Sequence, residues 1–265
     1  MRTALTIAGS DSGGGAGIQA DLKTFAAHGV YGTSAVTAIT AQNTLGVMSA
    51  QALPADLVTA QIEAVVSDIG AHAAKTGMLA NAAIVEAVAA AVEALDIPWL
   101  VVDPVMVAKG GSRLVDDEAV ATMKVELLRH AFLVTPNIPE AEVLAGMSIR
   151  TGDDAREAAR RIARLGARGV LVKGGHLPSS RIVDLLYDGH RFVEFTGERV
   201  PGPNTHGTGC TFSAAITAHL ALGHALEDAI PSAQHYVAEA IRHGPALGGG
   251  HRPMNHLWRD QRPQD

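Results

Sequence analysis

Short apolar runs alternate with longer amphipathic runs along most of the chain. The short runs predict buried strands, because glycine, proline or asparagine bounds them, and the longer runs place apolar residues at helical spacing. The predicted strands are Thr3–Ala8, Tyr31–Ala38, Ala73–Gly77, Trp99–Val102, Phe132–Val134 and Gly169–Lys173. The predicted helices are Ala16–His28, Pro54–Asp68, Asn81–Leu95 (with Asn81 as N-cap), Asp116–Arg129, Pro139–Ala145 and Asp153–Leu165.

The pattern changes after residue 180. Two strand-like runs, Arg181–Tyr187 and Arg191–Thr196, flank Asp188-Gly189, a dipeptide typical of a two-residue hairpin turn. Helices over Thr208–Leu222 and Glu227–His243 follow. Alternating strands and helices predict an α/β protein with a mostly parallel sheet covered on both faces. The late hairpin predicts an antiparallel edge.

Length and composition indicate one folded unit. The chain has 265 residues, of which 47% are apolar and only 18% are charged, a composition that excludes intrinsic disorder. A chain of this length can bury one full-sized core without disulfides. Because no linker, repeat or low-complexity tract divides it, we expect a single domain over residues 1–256 and a C-terminal tail over residues 257–265.

The charge pattern limits the partners. A net charge of −6 argues against nucleic-acid binding, which needs clustered Lys and Arg. The first residues lead into a predicted strand without a long apolar region, so we expect no signal peptide and a cytoplasmic protein. Gly29–Ala55 carries no charge but too many polar residues to span a membrane. This stretch predicts a buried strand and then a loop that lines a ligand site.

Gly9–Gly17 is a glycine-rich segment between the first predicted strand and helix. Glycines let the backbone approach a ligand and expose amide donors at a helix N-terminus. Asp11 lies where it could hold a ligand hydroxyl. The segment matches neither the G-x-x-x-x-G-K-[ST] phosphate loop nor the dinucleotide fingerprint. It therefore predicts a binding loop, with a flexible turn as the alternative.

A second glycine-rich segment precedes a helix of small residues. Gly207, Thr208 and Gly209 would present N–H groups at the positive end of that helix, an arrangement that suits a transferring phosphoryl group. Cys210 would lie in the first turn, where a helix N-terminus lowers the pKa of a thiol. We therefore expect this single cysteine to accept a proton from a substrate hydroxyl. An inert buried thiol is the alternative.

Polar residues also follow three other predicted strands. Asn137 and Glu140 stand three residues apart at a helix start, and their oxygens, with those of Asp103, suit Mg²⁺. Ordinary helix capping is the alternative for Asn137 and Glu140. Lys173, before two glycines, is a point charge placed to reach a nucleotide phosphate. Because ligands of such sheets bind beyond the carboxyl ends of the strands, we expect one shared site.

Seven motifs occur in an order that closely resembles the hydroxymethylpyrimidine/phosphomethylpyrimidine kinases of thiamine biosynthesis, members of the ribokinase-like superfamily. They are Gly9-Ser10-Asp11 with Gly13–Gly17, Ala41–Thr44, Lys75–Leu79, Asp103–Met106, Thr135–Glu140, Lys173–His176 and Asn204–Cys210. The resemblance spans residues 3–256. It implies a ribokinase-like three-layer α/β/α fold and commonly a homodimer. It also implies two ATP- and Mg²⁺-dependent phosphorylations, of 4-amino-5-hydroxymethyl-2-methylpyrimidine and then of its monophosphate.

The resemblance implies roles for individual residues as well. Gln42 would hydrogen-bond the aminopyrimidine, and Asn137 and Glu140 would organise Mg²⁺ and its waters. Cys210 would stand where most ribokinase relatives carry an aspartate base. The residues that would line the pyrimidine pocket are Gly9, Asp11, Ala16, Met78 and Val105. The residues that would contact the nucleotide are Lys173, Thr205, His206, Gly207 and Gly209, with Thr208 completing the anion hole.

Three alternatives remain beside this resemblance. A pyridoxal or pyridoxine kinase of the same superfamily is the nearest. A non-catalytic pyrimidine-binding regulator would have lost the Mg²⁺ or anion-hole residues, which are present, and a sugar kinase would carry aspartate at position 210. One residue departs from the family: Arg252 stands where glycine is usual. Thr44–Gln51 is a candidate for a loop that closes over the substrate.

Overall fold

The computed structural model describes residues 1–107, 111, 113–174 and 181–260. Within these residues the chain forms nine strands in one sheet. They are β1 (Thr3–Asp11), β2 (Tyr31–Asn43), β3 (Gly46–Ala52), β4 (Ala73–Thr76), β5 (Leu100–Val102), β6 (Leu133–Val134), β7 (Gly169–Val172), β8 (Arg181–Tyr187) and β9 (Phe192–Glu198). Their order is β3-β2-β1-β4-β5-β6-β7-β8-β9. Gly175 and His176 of the sixth motif lie outside the described residues.

Helices cover both faces of this sheet. They are α1 (Gly17–Ala27), α2 (Ala55–Asp68), α3 (Ala82–Ala94), α4 (Asp117–Thr122), α5 (Ile138–Ala145), α6 (Gly152–Ala163), α7 (Thr208–Ala221) and α8 (Leu226–Arg242). On β1, Leu5 and Ile7 belong to the apolar cluster of α2 and α3, whereas Ala4 belongs to the cluster of α1, α7 and α8. The predicted α/β/α arrangement is therefore confirmed, and Asn81 caps α3 by accepting from the Ile84 N–H.

The predicted helix Asp116–Arg129 is not α-helical throughout, because its second half winds as a π turn and then a 3₁₀ turn. It begins as α4, capped by the Asp116 carboxylate, and continues as one π turn, Met123–Leu127, and a 3₁₀ turn, Leu128–His130. Met123, Leu127 and Leu128 are all buried. A π turn is wider than an α turn, so it brings positions i, i+4 and i+5 closer to one side of the helix.

Antiparallel strands lie at both edges of the sheet rather than at one. The late hairpin β8–β9 is confirmed, and β8 pairs antiparallel with β7. At the other edge, β2 runs on to Asn43 and pairs antiparallel with β3. The prediction of a loop directly after Ala38 was therefore wrong, and closure of Thr44–Gln51 over the substrate stays a prediction. Since β3 is an edge strand and almost wholly exposed, no buried apolar alternation marks it in the sequence.

Five strands pair in parallel in the order β1, β4, β5, β6 and β7. Their carboxyl ends therefore meet at one edge of the sheet. The predicted convergence of the polar strand-end residues is thus confirmed for the described residues.

Beyond α8, the indole of Trp258 stacks on the His243 ring with 5.7 Å between centroids, so this part of the predicted tail packs on the domain. No helix within the described ranges is both long and apolar enough to cross a membrane.

Candidate active site

The carboxylate of Asp11 organises the first glycine-rich loop. It accepts hydrogen bonds from the N–H groups of Gly13, Gly15 and Ala16 at 2.8, 3.1 and 2.9 Å. His206 Nε2 lies 2.8 Å from Asp11 Oδ2. Burial alone would raise the pKa of Asp11, but the hydrogen bonds from His206 and the loop hold it below its usual value. Asp11 therefore stays an anion that joins this loop to the residue before α7.

The two glycine-rich segments touch each other backbone to backbone. Gly207 caps α7 in the left-handed region, with φ of +80°, and a Cβ there would overlap the Gly15 carbonyl oxygen. A Cβ on Gly15 would in turn overlap the His206 ring. Both positions therefore require glycine, for backbone angle in one case and for close approach in both. Two segments that the sequence shows far apart form one wall.

Gln42, Gly9 and Met78 lie at the β1–β2 side of this wall. The Gln42 amide nitrogen is 3.3 Å from His206 Nε2, and the Thr40 hydroxyl donates to Gln42 Oε1 at 3.2 Å. A Cβ on Gly9 would overlap the terminal methyl of Met78. Val105 is half-buried in the turn after β5, where its N–H donates to the Asp103 carbonyl oxygen. The structure thus brings Gly9, Met78, Gln42 and Ala16 to one region.

Asp103 and Lys173 form an ion pair at the centre of the carboxyl edge. Lys173 Nζ is 3.0 Å from Asp103 Oδ1, and the Ser213 hydroxyl of α7 donates to Oδ2 at 3.2 Å. Burial alone would raise the pKa of Asp103, but Lys173 and Lys75 hold it below its usual value. A Cβ on Gly209 would lie 3.5 Å from Lys173 Nζ. The ammonium therefore faces the N-terminus of α7.

Asn137 and Glu140 form a capping box at the start of α5. Asn137 Oδ1 accepts from the Glu140 N–H at 2.9 Å, and Glu140 Oε2 accepts from the Asn137 N–H at 2.8 Å. Their capping is thus what the structure shows, and a role toward Mg²⁺ stays a prediction. Burial raises the pKa of Glu140 to about 7, with Asp103 adding to the rise and Lys173 opposing it. Glu140 is therefore a carboxyl that changes charge near neutral pH.

Cys210 lies in the first turn of α7, as expected, but the expected lowering of its pKa was wrong. Burial raises the pKa of the thiol to about 11, and the carboxylates of Asp103 and Asp21 add to the rise. Lys75 and the Gly17 N–H act in the opposite direction. Desolvation therefore outweighs the helix N-terminus at this position, and the thiol is neutral at pH 7.

Sequence reasoning named His206 without its partners, and it missed Lys75. His206 Nε2 lies 2.8 Å from Asp11 Oδ2 and 3.3 Å from the Gln42 amide nitrogen, and its contact with the nucleotide stays a prediction. Lys75 was quoted only as part of a motif, yet it forms a fully buried ion pair with Asp21. A lysine inside a buried strand was the available signal, because lysine is rarely buried without a partner. Thr205 precedes α7, and its carbonyl oxygen accepts from the Thr208 hydroxyl at 2.8 Å.

The fold and these residues define a ribokinase-like phosphotransferase. Its mostly parallel sheet has a carboxyl edge at which a glycine-capped helix N-terminus meets the Asp103–Lys173 pair. The family described as phosphomethylpyrimidine kinase matches residues 11–255, and the chain belongs to it. The predicted resemblance is thereby confirmed.

Individual relatives agree with this family. The chain is 49% identical over 255 residues to the hydroxymethylpyrimidine/phosphomethylpyrimidine kinase of Bacillus subtilis (strain 168), covering 96% of this chain and 94% of that protein. It is 53% identical over 253 residues to the thiamine biosynthesis bifunctional protein ThiED of Geobacter sulfurreducens, covering 96% of this chain but only 52%, about half, of that longer protein. The solved ADP complex of Bacillus subtilis pyridoxal kinase matches with a TM-score of 0.91 and 40% identity, covering 98% of this chain and 100% of that chain.

Proposed function

We propose that the carboxyl-edge site performs both phosphorylations of its family in one pocket. The enzyme transfers a phosphoryl group from ATP to 4-amino-5-hydroxymethyl-2-methylpyrimidine, and then phosphorylates the monophosphate to the diphosphate, in thiamine biosynthesis. The contact of Asp103 with both Lys173 and helix α7 is the observation that supports these residue assignments. Hydrogen bonds of 3.0 and 3.2 Å hold them together, although they are far apart in sequence.

The pyrimidine belongs on the β1–β2 side of the site. Gln42 offers an amide that matches the donors and acceptors of an aminopyrimidine, and Gly9, Ala16, Met78 and Val105 line the pocket. Asp11 shapes the wall through its loop contacts rather than through a free carboxylate. A neutral ring needs such polar partners because a buried donor or acceptor left unpaired costs about 1–3 kcal/mol. This requirement supports selection of the ring by hydrogen bonds.

The phosphates belong at the N-terminus of α7. Gly207 is the N-cap, and Thr208 and Gly209 begin the helix, where N–H groups have no acceptor within the helix. The Thr208 N–H makes only a long contact of 3.5 Å with the Thr205 carbonyl oxygen. Lys173 and Thr205 flank this turn, and His206 precedes it. Donors fixed in this way stabilise charge that develops on a transferring phosphoryl group, and positioning with charge neutralisation is the largest part of such catalysis.

Mg²⁺ fits the oxygen donors beside this turn. Glu140, Asn137 and Asp103 offer two carboxylates and an amide, and no group of three or more His, Cys, Asp or Glu side chains in the described ranges forms a protein-only cage. Mg²⁺ is ordinarily held by one or two carboxylates, waters and substrate phosphates. We assign Glu140, Asn137 and Asp103 to hold it, directly or through its waters. When bound, it would supply positive charge to the nucleotide phosphates.

Cys210 is the base in this proposal. As the substrate hydroxyl oxygen attacks the γ-phosphorus, the proton of that hydroxyl passes to the Cys210 sulfur in its thiolate form. The P–O bond to ADP breaks, and ADP leaves with the electron pair. The protonated thiol returns its proton to solvent. Since the pKa of the free thiol is about 11, only a small thiolate fraction is present at neutral pH.

The assembly and location are parts of the same proposal. The β2–β3 edge exposes Ile39, Leu45 and Met48, with 55, 75 and 72% of each residue accessible. Large apolar side chains beside an open edge strand support association through this face, and we propose a homodimer. A lone cysteine and the use of ATP support a cytoplasmic setting.

A two-step assay tests the function. Purified protein with Mg²⁺ATP is given the hydroxymethylpyrimidine and then, separately, its monophosphate, and ADP is measured in each case. Turnover of both supports one site with two acceptors, whereas turnover of neither rejects the proposal. Pyridoxal and pyridoxine form parallel arms, because a pyridoxal kinase shares this fold at a TM-score of 0.91. A kcat/KM higher for those rings would favour that alternative.

A further inference from the structure

The C-terminal segment Gly248–Pro253 touches both the pyrimidine side and the phosphate side of the proposed site. Its first half holds the turn between β2 and β3. The His251 N–H donates to the Thr44 carbonyl oxygen at 2.8 Å, and the Gly250 N–H donates to the Thr44 hydroxyl at 3.4 Å. Thr44 follows Gln42 by two residues, so these hydrogen bonds hold the end of the strand that carries Gln42.

The segment is packed closely against this turn as well as hydrogen-bonded to it. A Cβ on Gly250 would overlap the Thr44 carbonyl oxygen, and a Cβ on Gly248 would overlap the Thr44 side chain. Between them, a Cβ on Gly249 would meet, among the described residues, only the Leu45 Cδ2 atom, at an ordinary contact distance of 3.8 Å. Close approach therefore requires glycine at positions 248 and 250 but not at position 249.

The second half of the segment is fixed to α7 and α8. The Arg252 N–H donates to the Pro203 carbonyl oxygen, and the Arg252 carbonyl oxygen accepts from the His206 N–H, both at 3.1 Å. The Asn255 N–H, just beyond the segment, donates to the Ala240 carbonyl oxygen of α8 at 2.9 Å. His206 directly precedes the glycine-capped start of α7, so this half of the segment is anchored beside the phosphate side.

We propose that Gly248–Pro253 is a positioning segment for phosphoryl transfer: it ties the turn after Gln42 to the start of α7 and so sets where the pyrimidine lies relative to the anion hole. The inference rests on the proposed function, in which Gln42 binds the ring and α7 holds the phosphates. Such a tie matters because a misplacement of about 1 Å can cost roughly a hundredfold in rate. The turn needs it, since β3 is an edge strand and almost wholly exposed.

Two neighbouring glycines provide a matched pair of variants. Gly250→Ala places a methyl group against the Thr44 carbonyl oxygen, and the turn must move because the segment is anchored beyond it. We expect the KM and the calorimetric Kd for the hydroxymethylpyrimidine to rise roughly tenfold, while the KM for ATP stays within about twofold. Gly249→Ala adds the same methyl group where it meets only an ordinary contact, and should leave all three values within about twofold of wild type.

Urea unfolding of each variant separates positioning from stability. A segment that only stabilises the fold would lower the free energy of unfolding and the apparent kcat of Gly250→Ala but leave its KM and Kd for the pyrimidine unchanged. That result would overturn the inference.

Thr44→Ala gives a second test if Gly250→Ala does not fold. It removes the side chain that contacts Gly248 and Gly250 but keeps the backbone hydrogen bond from His251, and should raise the Kd for the pyrimidine about threefold. A Kd equal to wild type would then count against the segment. A wild-type enzyme that phosphorylates neither pyrimidine would instead reject the proposed function, so the two failures are distinguishable.

Discussion

Gln42 reaches the site through a short polar chain that ends at Asp11. Thr40 holds one end of its amide and His206 lies at the other. Because the His206 Nε2 hydrogen goes to the Asp11 carboxylate, the amide nitrogen of Gln42 only contacts that ring, and the hydrogen bond from Thr40 orients the amide. The residue type was predicted from the sequence, but its partners come from residues 2 and 164 positions away.

We expect Gln42→Ala to weaken pyrimidine binding roughly tenfold to a hundredfold, because removal of a buried hydrogen-bonding partner costs about 1–3 kcal/mol. Titration calorimetry with the hydroxymethylpyrimidine measures this directly. Thr40→Val, which removes the hydrogen bond to the Gln42 side chain but keeps Gln42, should have a smaller effect. An affinity equal to wild type in Gln42→Ala would reject Gln42 as the residue that recognises the ring.

We expect Cys210→Ala to lose turnover by about two to four orders of magnitude, the usual worth of a general base, while the pyrimidine still binds. Steady-state rates and calorimetry on the same preparation separate these two effects. Cys210→Ser is the conservative comparison and should also be slow, since an alcohol is harder to ionise than a thiol. A Cys210→Ala enzyme as fast as wild type would show that the substrate hydroxyl loses its proton elsewhere.

At the scale of elements, the site depends on how helices begin. α5 starts with a reciprocal capping box, and α7 starts with a left-handed glycine against the first loop. Both starts lie at the carboxyl edge of the sheet, so the residues that cap the helices also face the phosphates in our proposal. Capping and metal binding were treated as alternatives for Asn137 and Glu140 in the sequence. The structure shows the capping, and the remaining lone pairs leave the second role open to experiment.

The pKa of Glu140 predicts a pH-dependent need for Mg²⁺. A carboxyl with a raised pKa of about 7 is charged above that pH and neutral below it. The apparent affinity for Mg²⁺, from initial rates at fixed ATP, should therefore fall as the pH drops from 8 to 6. Glu140→Gln should be weak at both pH values and should keep only the part of the change that comes from the titration of ATP itself. The difference between the two proteins isolates Glu140, and an identical pH response in both would contradict the assignment.

At the scale of the whole molecule, one buried and one half-buried histidine make folding sensitive to acid. Burial lowers the pKa of His219 and of His256 to about 4. His219 packs edge-on against His28, and the His256 Nε2 lies 2.9 Å from the Thr211 hydroxyl. In the unfolded chain a histidine titrates near about 6.5, so the unfolded state binds more protons between about pH 4 and pH 6.5. Stability from these two groups is full above about 6.5 and is lost as the pH falls toward 4.

The double variant His219→Gln/His256→Gln tests this at the same scale. Urea titrations at pH 7.5, 6 and 5 give the free energy of unfolding, which should fall less steeply with decreasing pH for the variant than for wild type. The comparison of slopes is needed because Glu140, with its raised pKa, contributes with the opposite sign between about 4.5 and 7. Parallel curves for the two proteins would mean that these histidines gain no protons on unfolding.

The sequence by itself determined the alternation of strands and helices, the late hairpin and the cluster of polar residues at the strand ends. Those features depend on local periodicity and on turn residues, which each segment carries within itself. Only the tertiary structure decided the β2–β3 edge, the contact of His206 with Asp11, the Asp103–Lys173 pair and the raised pKa of Cys210. These depend on which distant groups the chain brings together and on how far it removes them from water. Desolvation and long-range charge are properties of the folded arrangement, and no window of residues contains them.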